Sequence, residues 1–302
     1  MNTILNNSRR PLPRALAELF TRWEPPGEGD TPELEAVFSA GHSNRTFLMR
    51  RGERRFVVRL ADRSAAALGV DRAAEQKVLA CVERLGIGAP VLFCEPQTGT
   101  LVTDYLESRA VRIEGIGAEQ VIDRLATALH ALHAQELDIP AVNIADRIRS
   151  YARDLQSEDP VRWPRARRLL SSCRLVMEQY RFGRKLQALC HNDLVAPNIL
   201  ETDAGIRILD WEYAARGDPF FDLATLCEDQ GLNALDRQQL LLAYGEIGDA
   251  ALERLYRARV LYRLLSALWF LLRHRTAKPD TIPALLRHEQ ALEQLLRQGP
   301  ED

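Results

Sequence analysis

Cys190-His191-Asn192-Asp193-Leu194-Val195-Ala196-Pro197-Asn198, followed by Ile208-Leu209-Asp210-Trp211-Glu212-Tyr213, is the stretch on which the reading of this 302-residue chain turns. An Asp and an Asn five positions apart are, alone, ordinary turn and cap residues. Here a His precedes them, and an apolar strand, Ile206–Leu209, delivers a second Asp behind them. That context changes the chemistry available. Phosphoryl transfer asks little covalent work of a protein, but it needs a group to accept a hydroxyl proton and hard oxygens to hold magnesium on phosphates. Asp193 suits the first task, and Asn198 and Asp210 the second. His191 reads as a structural residue that holds the loop, and Cys190 as a small buried apolar group.

Size and composition agree with an ordinary globular protein. At 34.2 kDa the chain can bury a sizeable core, and 46% hydrophobic against 27% charged residues with a net charge of −2 gives no sign of a nucleic-acid partner. Cys81, Cys94, Cys173, Cys190 and Cys227 show no CxxC spacing, which disfavours a zinc site or a disulfide framework. The first twenty residues lack the apolar core of a signal peptide, and the longest strongly apolar run, Leu264 to Leu272, is too short to span a bilayer. The expectation is a cytoplasmic protein with no membrane partner.

Working outward, residues 11–20 predict a short amphipathic helix, followed by a breaker-rich loop at 23–30. Partial alternation from Leu34 to Leu60, interrupted at Gly41-His42-Ser43-Asn44 and Arg51-Gly52-Glu53, predicts three antiparallel strands. A stripe at Ala74, Val78, Leu79, Val82 and Leu85 predicts a helix ended by Gly86. Residues 90–94 and 100–106 read as two more strands. Beyond them, 118–136, 143–157, 164–182 and 234–275 are mainly helical by periodicity.

The pattern His191-x-Asp193-x-x-x-x-Asn198, then a strand and Asp210, resembles the catalytic segment of the protein-kinase-like small-molecule kinases, the choline, ethanolamine, thiamine and aminoglycoside kinases. Asp210-Trp211-Glu212-Tyr213 resembles the choline and thiamine kinase form rather than the Asp-Phe-Gly of protein kinases. Asp218-Pro219-Phe220-Phe221-Asp222-Leu223-Ala224 resembles the segment that follows it in bacterial choline kinases, in which Asp222 would brace the catalytic loop. The resemblance implies an α+β, two-lobed protein-kinase-like fold. An N-terminal antiparallel-sheet lobe with one helix (1–105) would bind nucleotide, and a larger, mainly α-helical lobe (106–302) would carry catalysis and substrate. It also implies ATP and Mg2+ as cofactors. Gly41, Ser43 and Asn44 would lie in the loop covering the phosphates. Arg59 stands where many kinases have a phosphate-contacting lysine, oriented by Glu75, and Thr103, Asp104 and Tyr105 would form the adenine-binding hinge.

For the acceptor, the resemblance points to choline or a related amino alcohol. Aromatic faces attract ammonium groups, so Tyr213 and Trp269 are candidates for a cage, with Glu212 a candidate partner for the cation. Core packing is the competing reading for each aromatic. Thiamine and aminoglycosides are the alternative acceptors. A catalytically silent nucleotide-binding scaffold is the alternative of another class, because a fold does not establish an activity. Oligomeric state is left open.

Overall fold

Alternation in Phe56-Val57-Val58-Arg59-Leu60 organises the first part of the chain. A strand's side chains point to opposite faces in turn, so Phe56, Val58 and Leu60 are buried on one face and Arg59 is placed on the other. The computed structural model describes residues 12–29, 31–38, 44–61, 70–115, 117–180, 187–273 and 281–300. These divide into two compact units, one drawn from Met1–Arg109 and Leu200–Tyr213, the other from Ala110–Ile199 and Ala214–Asp302.

The first unit opens with helix α1 (Arg14–Phe20), then strands β1 (Glu33–Phe38), β2 (Asn44–Arg51) and β3 (Arg54–Ala61), helix α2 (Arg72–Arg84), and strands β4 (Val91–Glu95) and β5 (Thr100–Asp104). The five strands form one antiparallel sheet in the order β1-β2-β3-β5-β4. Leu16 and Leu19 of α1 pack with Phe47, Met49, Phe56, Val58 and Val102 on one face of this sheet. Trp23 sits edge-on to Phe56 at 5.7 Å. Helix α2 begins where the Asp71 carboxylate accepts the N–H groups of Ala73 and Ala74, both at 3.0 Å, two of the donors that a helix start leaves without partners. It stops before Gly86, whose φ of 67° suits a residue with no Cβ. Of the apolar stripe foreseen for this helix, Ala74, Val78, Leu79 and Val82 are buried, as is Glu75, while Leu85 is half-buried just past its end. Strands β6 (Arg109–Ala110), β8 (Ile199–Thr202) and β9 (Gly205–Ile208) make a small sheet in the order β6-β8-β9.

The second unit is helical apart from the antiparallel pair β7 (Ala188–Cys190) and β10 (Ala215–Gly217), in which Cys190 faces Ala215. Its helices are α3 (Ala118–His133), α4 (Ile144–Glu158), α5 (Trp163–Ser172), α6 (Arg174–Gln179), α7 (Pro219–Gln230), α8 (Ala234–Tyr244), α9 (Asp249–Arg273) and α10 (Thr281–Gln298). Helix α9 is the centre of the core: its Val260, Leu261, Leu264, Leu268 and Leu271 cluster with Ile148 and Leu155 of α4, Phe221 of α7, and Leu285 and Leu292 of α10.

The helical stretches expected at 164–182 and 234–275 are each divided. The first breaks at the buried Cys173. The second breaks at Gly245 and Gly248, with φ of 94° and 84°, which remove the chain from the helical region between α8 and α9. All five cysteines carry free thiols. Among the described residues no helix is long and apolar enough to cross a membrane.

Candidate active site

In the second unit, β7 ends at Cys190 and the chain enters a loop built on its own backbone. Asn192 takes a left-handed φ of 64°, uncommon for a residue with a Cβ but tolerated by Asn. Both oxygens of the fully buried Asp222, in the first turn of α7, are engaged by this loop. One accepts the His191 N–H and the other the Asn192 N–H, each at 2.7 Å. Asp222 also meets His133 Nε2 at 3.1 Å, and His133 Nδ1 lies 2.8 Å from the Tyr244 hydroxyl. The expectation that Asp222 braces the loop therefore has its atoms, and His133 of α3 is a further member that sequence reading left without a role.

Asp193 follows. Its N–H donates to His191 Nδ1 at 3.2 Å, so the buried imidazole serves the loop as an acceptor, the structural part foreseen for it. The Asn198 side-chain nitrogen donates to the Asp193 carbonyl at 3.0 Å, with Asp193 Oδ2 at 3.5 Å. That commitment of the nitrogen leaves the Asn198 amide oxygen as the hard atom the group can offer. The Ala196 N–H donates to Asp229 Oδ2 at 2.5 Å, fixing the turn from below.

In the first unit, β9 leads to Asp210, the other non-glycine residue with positive φ among those described, at 61°. Trp211–Tyr213 then forms one 3-10 turn, pinned by the buried Trp211, whose indole N–H donates to the Ile208 carbonyl at 3.0 Å. Arg59 reaches Asp210 Oδ1 at 3.2 Å with the same Nη1 that grips Glu75 Oε1 at 2.6 Å, while its Nη2 holds Glu75 Oε2 at 2.8 Å. The planar fork of arginine is what permits this two-toothed grip.

Burial alone would raise the Glu75 carboxyl, but the Arg59 charge and hydrogen bonds, then Arg72, bring it below the ordinary glutamate value. Asp210 is pushed up, first by burial and then by Glu75, with Arg59 opposing. Arg59 itself is held well above the ordinary arginine value by Glu75 despite its burial.

Glu212 lies two residues beyond Asp210 and is buried. Its Oε2 accepts from Arg72 Nη2 at 3.0 Å and from Asn44 Nδ2 at 2.9 Å. Burial raises its carboxyl and the nearby Asp210 charge raises it further. Arg72 is a residue that sequence reading missed. Its place three positions before Glu75 was a signal for that ion pair, which spans 2.8 Å, whereas its bond to Glu212 crosses 140 residues of sequence.

The remaining expected residues are spread more widely. Gly41 and Ser43 lie outside the described residues. Thr103 and Asp104 end β5, opposite Val57 and Phe56. The Asp104 N–H donates to the Pro90 carbonyl at 3.0 Å and the Tyr105 N–H to the Arg55 carbonyl at 3.3 Å. Arg54 holds the Asp104 carboxylate at 2.8 Å, and the Arg55 guanidinium lies 4.4 Å over the Tyr105 ring. Tyr213 is half-buried in the first unit. Trp269, in the second, stands edge-on to Phe270 at 4.9 Å with the Arg273 guanidinium 5.3 Å from its ring.

Comparison with known proteins places these features in context. The model of the phosphotransferase enzyme family matches residues 35–258. Protein LicA of Haemophilus influenzae is 27% identical over 208 residues, covering 68% of this chain and 60% of that protein, so the chain spans less than two thirds of this relative's length. The solved choline kinase LicA from Streptococcus pneumoniae superposes with a TM-score of 0.75 at 18% identity, over 95% of this chain and 99% of that one. Spectinomycin phosphotransferase, solved with ADP and spectinomycin, superposes with a TM-score of 0.67 at 13% identity, over 95% and 98%. The fold is the protein-kinase-like one, with an antiparallel-sheet part and a helical part.

Proposed function

We propose that this chain, which belongs to the phosphotransferase enzyme family, is an ATP- and magnesium-dependent kinase that phosphorylates the hydroxyl of a small cationic alcohol, choline or a related amino alcohol. One observation carries the phosphoryl-transfer part: the buried Arg59 bridges Glu75 and Asp210, at 2.6 Å and 3.2 Å from a single Nη1. A cation fixed between those two carboxylates is what the transfer of a highly charged phosphate requires of a nucleotide site.

The donor chemistry suits magnesium. Asp210 offers a carboxylate whose side chain keeps 36% of its surface exposed, and Asn198 offers the amide oxygen left over once its nitrogen is spent on Asp193. Bound magnesium would neutralise charge developing on the transferred phosphate. Asp193 accepts the proton of the acceptor hydroxyl as that oxygen attacks the terminal phosphorus of ATP, and the bond from that phosphorus to the bridging oxygen breaks to release ADP. Asp222 contributes by holding the backbone on which Asp193 stands. Arg59 contributes positive charge at the phosphates, and Glu75 fixes its direction.

Choline or an amino alcohol is preferred as acceptor because of the likeness to LicA and the Asp210-Trp211-Glu212-Tyr213 sequence. ATP turnover measured against choline, ethanolamine, thiamine, amino sugars and aminoglycosides tests this. Turnover with an amino alcohol alone supports the reading, and turnover confined to thiamine or an aminoglycoside reassigns the acceptor. No magnesium-dependent ATP consumption with any acceptor would favour the silent-scaffold alternative.

A further inference from the structure

Helix α8 (Ala234–Tyr244) turns an uncharged face to solvent, in a chain of which 27% of the residues are charged. Both of its charged side chains are committed elsewhere. Asp236 completes a capping box: its Oδ2 accepts the Asn233 N–H at 3.2 Å, and its own N–H donates to Asn233 Oδ1 at 3.1 Å. Arg237 is buried, with its Nη1 donating to the Leu232 carbonyl. Leu240 and Leu241 are buried as well. What remains outside is Leu235, 76% exposed, and Leu242, 61% exposed, together with Ala234, Gln238, the half-buried Gln239 and Ala243.

The order of these six residues is palindromic. From either end they run Ala, Leu, Gln, Gln, Leu, Ala, with the midpoint between Gln238 and Gln239. Seven positions separate the two leucines, so they lie within about 20° of each other around the helix, with one glutamine on each side of them. A two-fold axis through the midpoint, perpendicular to the helix, lays Leu235 of one copy against Leu242 of another, Ala234 against Ala243, and Gln238 against Gln239. A two-fold interface needs this property, a single patch that complements itself. The amides fit too. Gln239 Nε2 is spent on Asp123 Oδ1 of α3 at 2.8 Å, which leaves the Gln239 amide oxygen to accept from Gln238 of the other copy. Ile247, 75% exposed just beyond the end of α8, adds apolar surface at the Leu242 end.

We propose that α8 is the interface of a homodimer, packed antiparallel on α8 of a second copy about a two-fold axis between Gln238 and Gln239. A partner with a charged surface would bury its charges against leucine and amide groups that offer no counter-ion, whereas a second copy brings no charge to the contact.

Sedimentation velocity of the full chain over a concentration series tests this, for wild type, Leu235→Arg, Leu242→Glu and the double variant carrying both. Wild type should show a concentration-dependent dimer. Each single substitution sets a charge against a leucine of the other copy and should raise the dimer dissociation constant by about 10-fold or more. The double variant should recover much of that loss, because antiparallel packing sets each introduced arginine against an introduced glutamate of the other copy. Parallel packing would instead oppose like charges and make the double variant the weakest. Both positions are exposed, so the urea midpoint of the dilute monomer should match wild type in every variant, which separates a lost interface from a lost fold. Wild type that stays monomeric to the limit of its solubility overturns the proposal and leaves the face to a different partner. A dimer that both single variants leave intact overturns it by placing the interface elsewhere. A double variant weaker than either single one overturns the antiparallel register.

Discussion

Asp222 fixes the unusual backbone of Asn192: its Oδ1 accepts the Asn192 N–H at 2.7 Å, and the residue so held has a φ of 64°. The other oxygen accepts the neighbouring His191 N–H, also at 2.7 Å, and Asp222 has no exposed surface. Replacing it by Ala takes the acceptor from the N–H of buried His191 and of half-buried Asn192, a loss of about 1–3 kcal/mol for the buried donor and less for the other. Asp222→Ala should therefore lower the urea unfolding midpoint markedly. Asp222→Asn, which keeps the size and one acceptor oxygen, should fall between the two. An unfolding midpoint for the alanine variant equal to wild type would show that the loop does not depend on this carboxylate.

Asp193 and Asp210 are assigned different tasks, and their variants should fail differently. Asp193→Asn should bind nucleotide with magnesium as wild type does but turn over about 10²–10⁴-fold more slowly, the usual loss on removing a general base. Asp210→Asn should lose the magnesium dependence of nucleotide binding. Calorimetry with ATP in the presence and absence of magnesium separates the two. Identical binding defects in both variants would contradict the division of labour.

Arg59 is buried between carboxylates, with Glu75 only 3% exposed. Removing one partner of a buried pair costs about 3–5 kcal/mol, because the other charge is stranded. Arg72 remains beside Glu75 at 2.8 Å and softens that loss. Arg59→Met should consequently destabilise the chain toward the lower end of that range. Arg59→Lys should do less harm to stability yet still weaken nucleotide binding, since an ammonium cannot reproduce the fork that meets both Glu75 oxygens. Equal nucleotide affinity in wild type and Arg59→Lys would argue that charge alone matters.

The strands around Arg59 and helix α2 were legible because local signals agree with tertiary burial. Alternation in Phe56–Leu60 and Gly86 as a stop each act within a few residues. Helix α7 is not legible as a helix, although Asp218 and Pro219 are a recognisable start, because Phe220, Phe221, Leu223, Ala224, Leu226 and Cys227 are buried without leaving a polar stripe to reveal the period. Helix α10, with its buried Leu285, Leu292 and Leu295, has no counterpart among the sequence expectations. The candidate site was legible where loop chemistry is contiguous, as in Asp193 to Asn198. It was not legible where the partner is remote: nothing near Glu212 announces that Arg72 and Asn44 will meet its carboxylate.

His288 on α10 provides a test of stability that is independent of catalysis. Burial, then Arg263 and Arg287, push its imidazole down from 6.5 to about 3. Arg263 Nη1 lies 3.2 Å from His288 Nδ1, an arrangement in which Nδ1 accepts and the ring is neutral. Tyr262 and Phe270 flank the ring at centroid distances of 5.8 Å and 5.4 Å. The folded state thus keeps the ring neutral at pH values where the unfolded chain protonates it. Between pH 6.5 and about 3 the unfolded state holds the extra proton, so the folded state loses stability on acidification, by up to about 1.4 kcal/mol per pH unit from this group. Above about pH 7 the term is constant. His288→Gln removes the titration, so the stability difference between wild type and variant, measured by urea unfolding from pH 7.5 to 4, should shift against wild type as the pH falls. A difference that stays constant over that range would mean that His288 titrates alike in the folded and unfolded chains.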